Sequence, residues 1–382
     1  MKKHAIIPIF IPHLGCPCQC VFCDQRQITG HRGIPTETEI RRTIATWLAT
    51  LGHLPAEEIE LAFFGGSFTA LPVSLQEKCL SIGQEYLQGG QIGALHISTR
   101  PDCIDEEVLA RLARYGVRTI ELGCQSFDDE VLTRSGRGHD AASSRRAARL
   151  IKATGFRLGI QLMIGLPGDS MESCLRSAEE TVALAPDLAR LYPTLVLPGT
   201  ELAAMYERGE YTPLMREEAV CRTAGCYRIL LDAGIEIMRV GLKSTEIIQS
   251  DYLGAINQGC YHPAFRQLVE SEIAKERILP LLAAVTGSRA AAESAAENVA
   301  TAPPAARSAG HPPRRQIVIA CHPAWVSAAA GHGGVNRRLY QQLFPYLDIE
   351  IECDTTLAVG AFRVYDKGRQ LSLPEAQQRG AD

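Results

Sequence analysis

Four cysteines stand within eight residues near the start of the sequence, at positions 16, 18, 20 and 23. Three of them, Cys16, Cys20 and Cys23, follow the spacing C-x3-C-x2-C, which leaves Cys18 over. Cysteines this dense rarely serve packing alone, because thiolates are ligands for zinc and for iron–sulfur clusters. A cluster held by three thiolates keeps one iron open, and an open metal position can bind and activate a small molecule. The stretch therefore predicts an iron–sulfur site with an open coordination position.

Other uses of these cysteines are weaker interpretations of the same stretch. A disulfide needs an oxidising compartment, whereas the apolar run after the basic N-terminus is short, is interrupted by Pro8 and does not read as a signal peptide. A zinc site usually combines two CxxC pairs, or one pair with two histidines, and no second CxxC follows in the sequence. The residues alone leave one choice open, because Cys18 can replace Cys16 or Cys20 in a different ligand set.

The composition excludes some classes of protein. At 382 residues the chain is long enough for one large domain and a smaller one. Hydrophobic residues make up 46% of it and no apolar run approaches a membrane span, so we expect a soluble protein without a membrane partner. The formal net charge of −4 does not indicate RNA as a partner. Thirteen cysteines without a secretion signal favour a reducing, cytoplasmic location.

Strand-like apolar runs alternate with helical patterns over about the first 235 residues. The runs lie at residues 6–11, 59–64, 94–100, 117–122, 157–164 and 188–195. Regular alternation predicts an α/β fold with a parallel sheet, right-handed crossovers and helices packed outside. Six units are too few for a closed eightfold barrel, so we expect a (β/α)6 partial barrel. A helix over 216–233 and a strand over 235–240 close this part of the chain.

The rest of the sequence divides where its composition changes. A stretch rich in Ala and Pro, with almost no large apolar residues, predicts a disordered linker over 283–315. Ahead of it we place a catalytic core with a helical extension, over 1–282. After it come a small C-terminal α+β unit over 316–367 and a loose tail over 368–382.

Polar and glycine-rich residues follow the predicted strands at the points where the strands end. The carboxyl ends of parallel barrel strands meet at one rim, which is where such folds carry their chemistry. Besides the cysteines, the candidate residues at or just past these ends are Gly65, Gly66, Ser67, Ser98, Gln125, Arg137 and Gln161. Because separate signals fall on one rim, the sequence predicts a single site there.

The cysteine spacing, in a loop after a first strand, resembles that of the radical S-adenosylmethionine (SAM) enzymes. Four later motifs are ISTRPD around Ser98, ELGCQSF around Gln125, SGRGH around Arg137 and QLMIGLPG from Gln161. In this order they resemble the subgroup that contains the Elp3 proteins and the oxygen-independent coproporphyrinogen oxidases. The resemblance implies a (β/α)6 partial barrel of the radical SAM type, which agrees with the fold expected from the strand pattern.

The resemblance also implies a cofactor set and an activity. It favours Cys16, Cys20 and Cys23 as the ligands of a [4Fe–4S] cluster whose open iron binds SAM. Electron transfer then cleaves SAM to a 5′-deoxyadenosyl radical, which abstracts hydrogen from a substrate that the sequence does not identify. A flavodoxin or a ferredoxin is the implied electron donor.

Further residues are implied as SAM contacts by their positions in these motifs. The backbone of Gly65, Gly66 and Ser67 corresponds to the segment that contacts the methionine amino group, where glycine permits a close approach. Arg137 is the implied partner of the SAM carboxylate, since a guanidinium forms a bidentate fork.

The remaining contacts, to the ribose and the carboxylate, fall to Ser98, Gln125 and Gln161. The chain departs from the family pattern at Ser67, where many members carry Glu. It departs again at Ser98 and Gln161, where the porphyrinogen enzymes have acidic residues.

The predicted function is a radical SAM enzyme acting on an unidentified substrate, and two alternatives come from other classes. One is a tRNA-modifying enzyme of the Elp3 type without acetyl transfer, because the residues after Arg277 contain no glycine-rich pyrophosphate loop. The other is a non-catalytic metal-binding protein that keeps only the cysteine site.

Overall fold

The computed structural model describes residues 4–11, 16–24, 33–242, 260–287 and 314–368. The chain forms two compact units, Met1–Pro263 and Ala264–Asp382. Each unit has its own β-sheet, with seven strands in the first and three in the second.

The first unit is built on a parallel sheet whose strands lie side by side in chain order. They are β1 (Ala5–Ile11), β2 (Ile59–Gly65), β3 (Ala94–Thr99), β4 (Val117–Gln125), β5 (Arg157–Ile164), β6 (Leu188–Pro193) and β7 (Glu236–Val240). Parallel strands in unbroken order curl into a partial barrel when every crossover has the same hand. The predicted α/β partial barrel is confirmed, with six strand–helix units and a seventh strand where the sequence placed one.

Eight helices occur in the described part of the first unit, most of them in the crossovers between strands. They are α1 (Glu37–Leu51), α2 (Val73–Gln88), α3 (Glu106–Arg114), α4 (Asp129–Arg134), α5 (Ala141–Ala153), α6 (Met171–Ala183), α7 (Glu201–Glu207) and α8 (Arg216–Asp232). Polar side chains begin several of them. Thr36 forms a capping box with Glu39, and Asp105 accepts a hydrogen bond from the Val108 N–H at 2.8 Å. Such caps satisfy backbone donors that the first helical turn leaves unpaired.

The two faces of the sheet carry different side chains. Helix α2 lies on one face, where a Cβ built on Gly83 would be 2.7 Å from Cδ2 of Leu95 and 3.3 Å from Cδ2 of Leu61. Successive strand residues point to opposite faces. Glu60 and His96, which neighbour these leucines in sequence, therefore lie on the other face. The sheet thus has an apolar face under its helices and a face that carries buried charged groups.

The second unit combines helices with a mixed three-stranded sheet. Its elements are α9 (Phe265–Thr286), β8 (Arg315–Cys321), α10 (Val326–Ala330), α11 (Val335–Leu343), β9 (Leu347–Cys353) and β10 (Phe362–Asp366). Strand β8 is central, parallel to β9 and antiparallel to β10. The buried Asn336 donates a hydrogen bond to the Ser271 carbonyl at 2.8 Å, which ties α11 to α9.

Helix α9 crosses two boundaries of the division made from sequence. The boundary between the two compact units lies between residues 263 and 264 of the chain, so the helix belongs to the second unit. It continues into the stretch predicted as linker, where Ala283 is buried, and it ends at Thr286 with Gly287 as its C-cap, whose φ of +70° is left-handed. The rest of the predicted linker up to residue 313, and the predicted tail from residue 369, lie outside the described residues. No helix in the described part of the chain is both long enough and apolar enough to cross a membrane.

Candidate functional site

Three thiols of the cysteine loop influence one another directly. Cys20 is buried, while Cys16 and Cys23 are partly exposed, and the Cys23 N–H donates to the Cys20 carbonyl at 3.1 Å. Burial, together with the neighbouring Cys20 and Cys16, raises the pKa of the Cys23 thiol to about 12. Burial also raises the pKa of Cys16, against an opposing hydrogen bond from the Ser67 backbone N–H. The fold therefore gathers the three cysteines of the C-x3-C-x2-C spacing.

Cys18 faces a different set of neighbours. A Cβ at Gly138 would overlap its sulfur, so this thiol lies directly against the Gly138 backbone. Burial lowers the pKa of the nearby Arg100, but Asp102, Cys20 and Cys18 raise it by a larger amount. The Cys18 sulfur thus lies against the Gly138 backbone and close to Arg100.

The chemistry of these thiols fits a [4Fe–4S] cluster. In such a cluster each cysteine sulfur binds a different iron, so the three sulfurs need not converge on one point. No three His, Cys, Asp or Glu side chains within the described ranges are arranged to hold a single metal ion. Each of two sulfurs has a donor, since the Ser67 N–H points to Cys16 and Nη1 of Arg137 lies 3.1 Å from Sγ of Cys20. N–H donors of this kind stabilise the thiolates that a cluster requires.

Gly65 and Gly66, at the end of β2, pack closely against the end of β1. The Gly66 N–H donates to the Ile11 carbonyl at 2.9 Å. Gly65 has a φ of +117°, and a Cβ there would be 2.6 Å from the same carbonyl oxygen. Only glycine fits this close approach of two backbones. The pair therefore fixes the point at which the chain leaves β1 for the cysteine loop.

Ser67 turns its side chain inward, where its hydroxyl is hydrogen-bonded within the fold. It is 1% exposed, and its Oγ lies 2.8 Å from Oγ1 of Thr99 and accepts from the Arg100 N–H at 3.2 Å. Thr69 joins the same hydroxyl cluster through Oγ1 of Thr99 at 2.6 Å. The side chain of Ser67 is thus used within the fold, and its backbone N–H faces Cys16.

Gln125 ends β4 in a strained conformation. Its φ of +67° is left-handed, which is unusual for a residue with a long side chain. Its Oε1 is buried and has no hydrogen-bond partner among the residues that the structure describes. Strain and an unpaired buried acceptor in one residue are typical of sites that bind a ligand.

Arg137 reaches the cysteine loop from the segment after α4. It is 6% exposed, and besides Cys20 it donates from Nη2 to the Gly123 carbonyl. Its own carbonyl accepts from Nη2 of Arg100, which also forms a bidentate pair with Asp102 at 2.9 and 3.0 Å. The Nε of Arg137 is buried and has no hydrogen-bond partner among the described residues.

Ser98 and Gln161 meet on the polar face of the sheet. Nε2 of Gln161 donates to Oε2 of Glu121 at 2.7 Å and to Oγ of Ser98 at 3.3 Å. Both residues are half-buried. The structure brings these two candidate residues together, and it adds the Glu121 carboxylate beside them.

The sequence analysis missed a buried ion network on the same face, formed by Glu60, His96, Glu121 and Arg190. His96 lies between the two carboxylates, with Nδ1 3.0 Å from Glu60 and Nε2 2.7 Å from Glu121. Arg190 contacts Glu121 at 2.6 Å. Burial would lower the pKa of His96, but Glu121 and Glu60 raise it above its ordinary value. The signal in the sequence was a titratable residue in the interior of four neighbouring strands, Glu60, His96, Glu121 and Arg190.

Comparison with known protein families places this chain among the radical SAM proteins. Residues 10–181 match the radical SAM superfamily, and residues 186–275 match the radical SAM C-terminal domain. The tRNA uridine(34) acetyltransferase of Methanocaldococcus infernus is 34% identical over 193 residues, which are 45% of this chain and 36% of that protein. Protein YhcC of Escherichia coli K12 is 29% identical over 203 residues, or 52% and 63% of the two chains. This chain thus spans less than two thirds of the length of these relatives.

A solved structure supports the fold independently. The archaeal Methanocaldococcus infernus Elp3 with an N-terminal deletion superposes with a TM-score of 0.52 at 24% sequence identity. The superposition covers 68% of this chain and 65% of the archaeal chain. At this level of identity the likeness shows a shared fold.

Proposed function

Because this chain belongs to the radical SAM superfamily, we propose that it is an enzyme that abstracts hydrogen from a substrate by means of a [4Fe–4S] cluster and SAM. The observation that carries the proposal is the pair of N–H donors at two of the three cysteines, from Ser67 to Cys16 and from Arg137 to Cys20. When bound, the cluster and SAM supply a one-electron cleavage that yields a 5′-deoxyadenosyl radical.

Cys16, Cys20 and Cys23 are the proposed cluster ligands. The thiols must lose their protons to bind iron, and burial opposes this at Cys16 and Cys23. Arg137 and the Ser67 N–H offset part of that cost, since both lower the pKa of Cys16. Cys18 is left out of the proposed set because it lies against Gly138.

SAM is proposed to bind beside the cysteine loop, at the ends of β2 to β5. Gly65, Gly66 and Ser67 border the loop and leave the ligand a backbone surface without bulky side chains. Gln125 offers a buried acceptor that lacks a partner within the described part of the chain. The half-buried pair of Ser98 and Gln161 offers a hydroxyl and an amide suited to sugar hydroxyl groups.

The substrate class and the partners are proposed from the relatives. The matched radical SAM core is compatible with a tRNA substrate. The name of the archaeal relative favours this candidate over other substrate classes. A reduced flavodoxin or ferredoxin is the proposed electron donor, and the cytoplasm is the proposed location.

SAM cleavage by the full chain tests the enzyme proposal. After anaerobic reconstitution with iron and sulfide, the chain should convert SAM to 5′-deoxyadenosine and methionine when dithionite is added. The matched control is Cys353→Ala, at an exposed cysteine of β9, which should cleave SAM at the wild-type rate. A reconstituted wild-type chain that binds iron and forms no 5′-deoxyadenosine would support the non-catalytic alternative instead.

A further inference from the structure

Two cysteines of the second unit lie side by side at the carboxyl ends of neighbouring strands. Cys321 is the last residue of β8 and Cys353 is the last residue of β9, and the two are partners in the register of this parallel pair. The side chains of register partners leave a sheet on the same face. The Asp354 N–H donates to the Cys321 carbonyl at 2.8 Å, which holds the strand ends together just past the two cysteines. The fold therefore places these two thiols next to each other.

The spacing of the two strands suits a disulfide bond. Neighbouring strands of a sheet lie about 4.8 Å apart, and the Cα atoms of bonded cysteines are usually about 4.4–6.8 Å apart. The sulfur of Cys321 also points toward β9, because it lies 3.9 Å from the carbonyl oxygen of Glu352, the residue before Cys353. A bond between the two sulfurs therefore requires no rearrangement of the strands.

The two thiols differ in their access to solvent. Cys353 is exposed, whereas Cys321 is 0% exposed. Burial, together with the nearby Cys353, raises the pKa of the Cys321 thiol to about 11. Thiol–disulfide exchange requires both a thiolate and access to the reagent. Cys353 is therefore the thiol that meets a reagent from solution, and Cys321 reacts with the group that Cys353 has acquired.

A second pair of neighbouring cysteines lacks this access. Cys174 of α6 and Cys226 of α8 are in contact, with Sγ of Cys226 3.4 Å from the Cys174 carbonyl oxygen. Their exposed fractions are 2% and 0%. A reagent in solution reaches neither thiol while the chain is folded. Proximity alone thus does not make a reactive pair, and the exposure of Cys353 distinguishes the pair in the second unit.

We propose that Cys321 and Cys353 form a reversible disulfide by exchange with a small disulfide such as glutathione disulfide. The Cys353 thiolate attacks one sulfur of the reagent, which forms a mixed disulfide at Cys353 and releases one glutathione thiolate. Cys321 then loses its proton and attacks the Cys353 sulfur, which releases the second glutathione. The protons of the two protein thiols pass to the two glutathione thiolates. Two protein thiols are thereby oxidised to one disulfide, and the glutathione disulfide is reduced to two thiols.

This site lies in the second unit, and its chemistry requires neither the cluster nor SAM. The proposal therefore does not depend on the proposed function. A chain that assembles no cluster still has to form the disulfide if the proposal is correct.

Peptide mapping of the full chain by mass spectrometry tests the proposal, with glutathione disulfide as the probe and Cys321→Ala and Cys353→Ala as matched variants. Each protein is treated anaerobically with the probe, its remaining thiols are blocked with iodoacetamide, and it is digested. The wild type should yield two peptides joined through Cys321 and Cys353, which dithiothreitol separates. Cys321→Ala should stop at the mixed disulfide and keep one glutathione on Cys353, whereas Cys353→Ala should leave Cys321 unmodified.

The wild type alone can overturn the proposal, so the test does not depend on the folding of either variant. Wild-type chain that keeps glutathione on Cys353 and yields no joined peptides would show that Cys321 does not resolve the mixed disulfide. Joined peptides that form only when the chain is unfolded in urea would show that the folded strands do not present the pair. Glutathione on Cys321 in folded Cys353→Ala would contradict the order of attack.

Discussion

The interior ion network and the cysteine rim both place buried charges on the first sheet, but they balance those charges differently. In the network, His96 and Arg190 each face a carboxylate of Glu60 or Glu121 at 3.0 Å or less. At the rim, Arg137 faces the thiol of Cys20 at 3.1 Å. The network is thus neutralised within the chain, whereas Arg137 at the rim has no carboxylate within ion-pair distance among the described residues.

This difference suggests a structural role for the ion network and a functional role for the cysteine rim. A buried ion pair is costly to break, because the remaining partner keeps its desolvation penalty without compensation. The interior network should therefore govern folding, and the rim should govern cofactor binding. The predictions below test whether the two regions separate in this way.

The largest effect on stability is expected at Glu121. Glu121→Ala leaves His96 and Arg190 without their shared carboxylate, and we expect it to lower the free energy of unfolding by about 3–5 kcal/mol. The control is Glu179→Ala on the exposed side of α6, with an expected change within about 0.5 kcal/mol. Urea unfolding of the apoprotein measures both. Equal urea midpoints for the two variants would show that the ion network does not stabilise the fold.

Lowering the pH should reduce the free energy of unfolding by a smaller amount. Burial raises the pKa of the Glu121 carboxyl, but Arg190 and His96 lower it to about 2. In the unfolded chain a glutamate titrates at about 4.3, so the contribution of Glu121 is complete above that pH and is lost as the pH falls toward 2. The raised pKa of His96 has the opposite sign, and its contribution is lost as the pH rises through that value.

Unfolding measured between pH 3 and pH 7 tests this assignment. The free energy of unfolding of the wild type should decline below about pH 4.3, and Glu121→Gln should show a shallower decline because it has no carboxyl at this position. Glu60, whose pKa is also lowered, leaves a residual slope in the variant. Parallel pH profiles for the two proteins would contradict the role assigned to Glu121.

Much of this fold could be predicted because its signals are local. Each strand is a short apolar run bounded by a helical pattern, and the cysteine spacing lies within eight residues. The end of helix α9 was predicted too early, at the start of the linker. The alanine-rich sequence gives no sign that Ala283 is buried, because that burial depends on packing within the second unit.

The partners within the site could not be predicted, because they are set by the tertiary fold. Arg137 and Cys20 are separated by 117 residues, and Glu121 and Arg190 by 69. The sequence named Arg137 as a candidate site residue, but only the fold determines which groups its guanidinium contacts. The inward turn of Ser67 likewise depends on Thr99 of the neighbouring strand.

The most direct test of the central claim compares Cys18→Ala with Cys20→Ala, two changes within one loop. The measurement is the iron and sulfide content of the full chain after anaerobic reconstitution. Cys18→Ala should retain the wild-type content, because its sulfur lies against Gly138, whereas Cys20→Ala should lose the cluster along with the partner of Arg137. Loss of the cluster in Cys18→Ala with its retention in Cys20→Ala would contradict the ligand set on which this account rests.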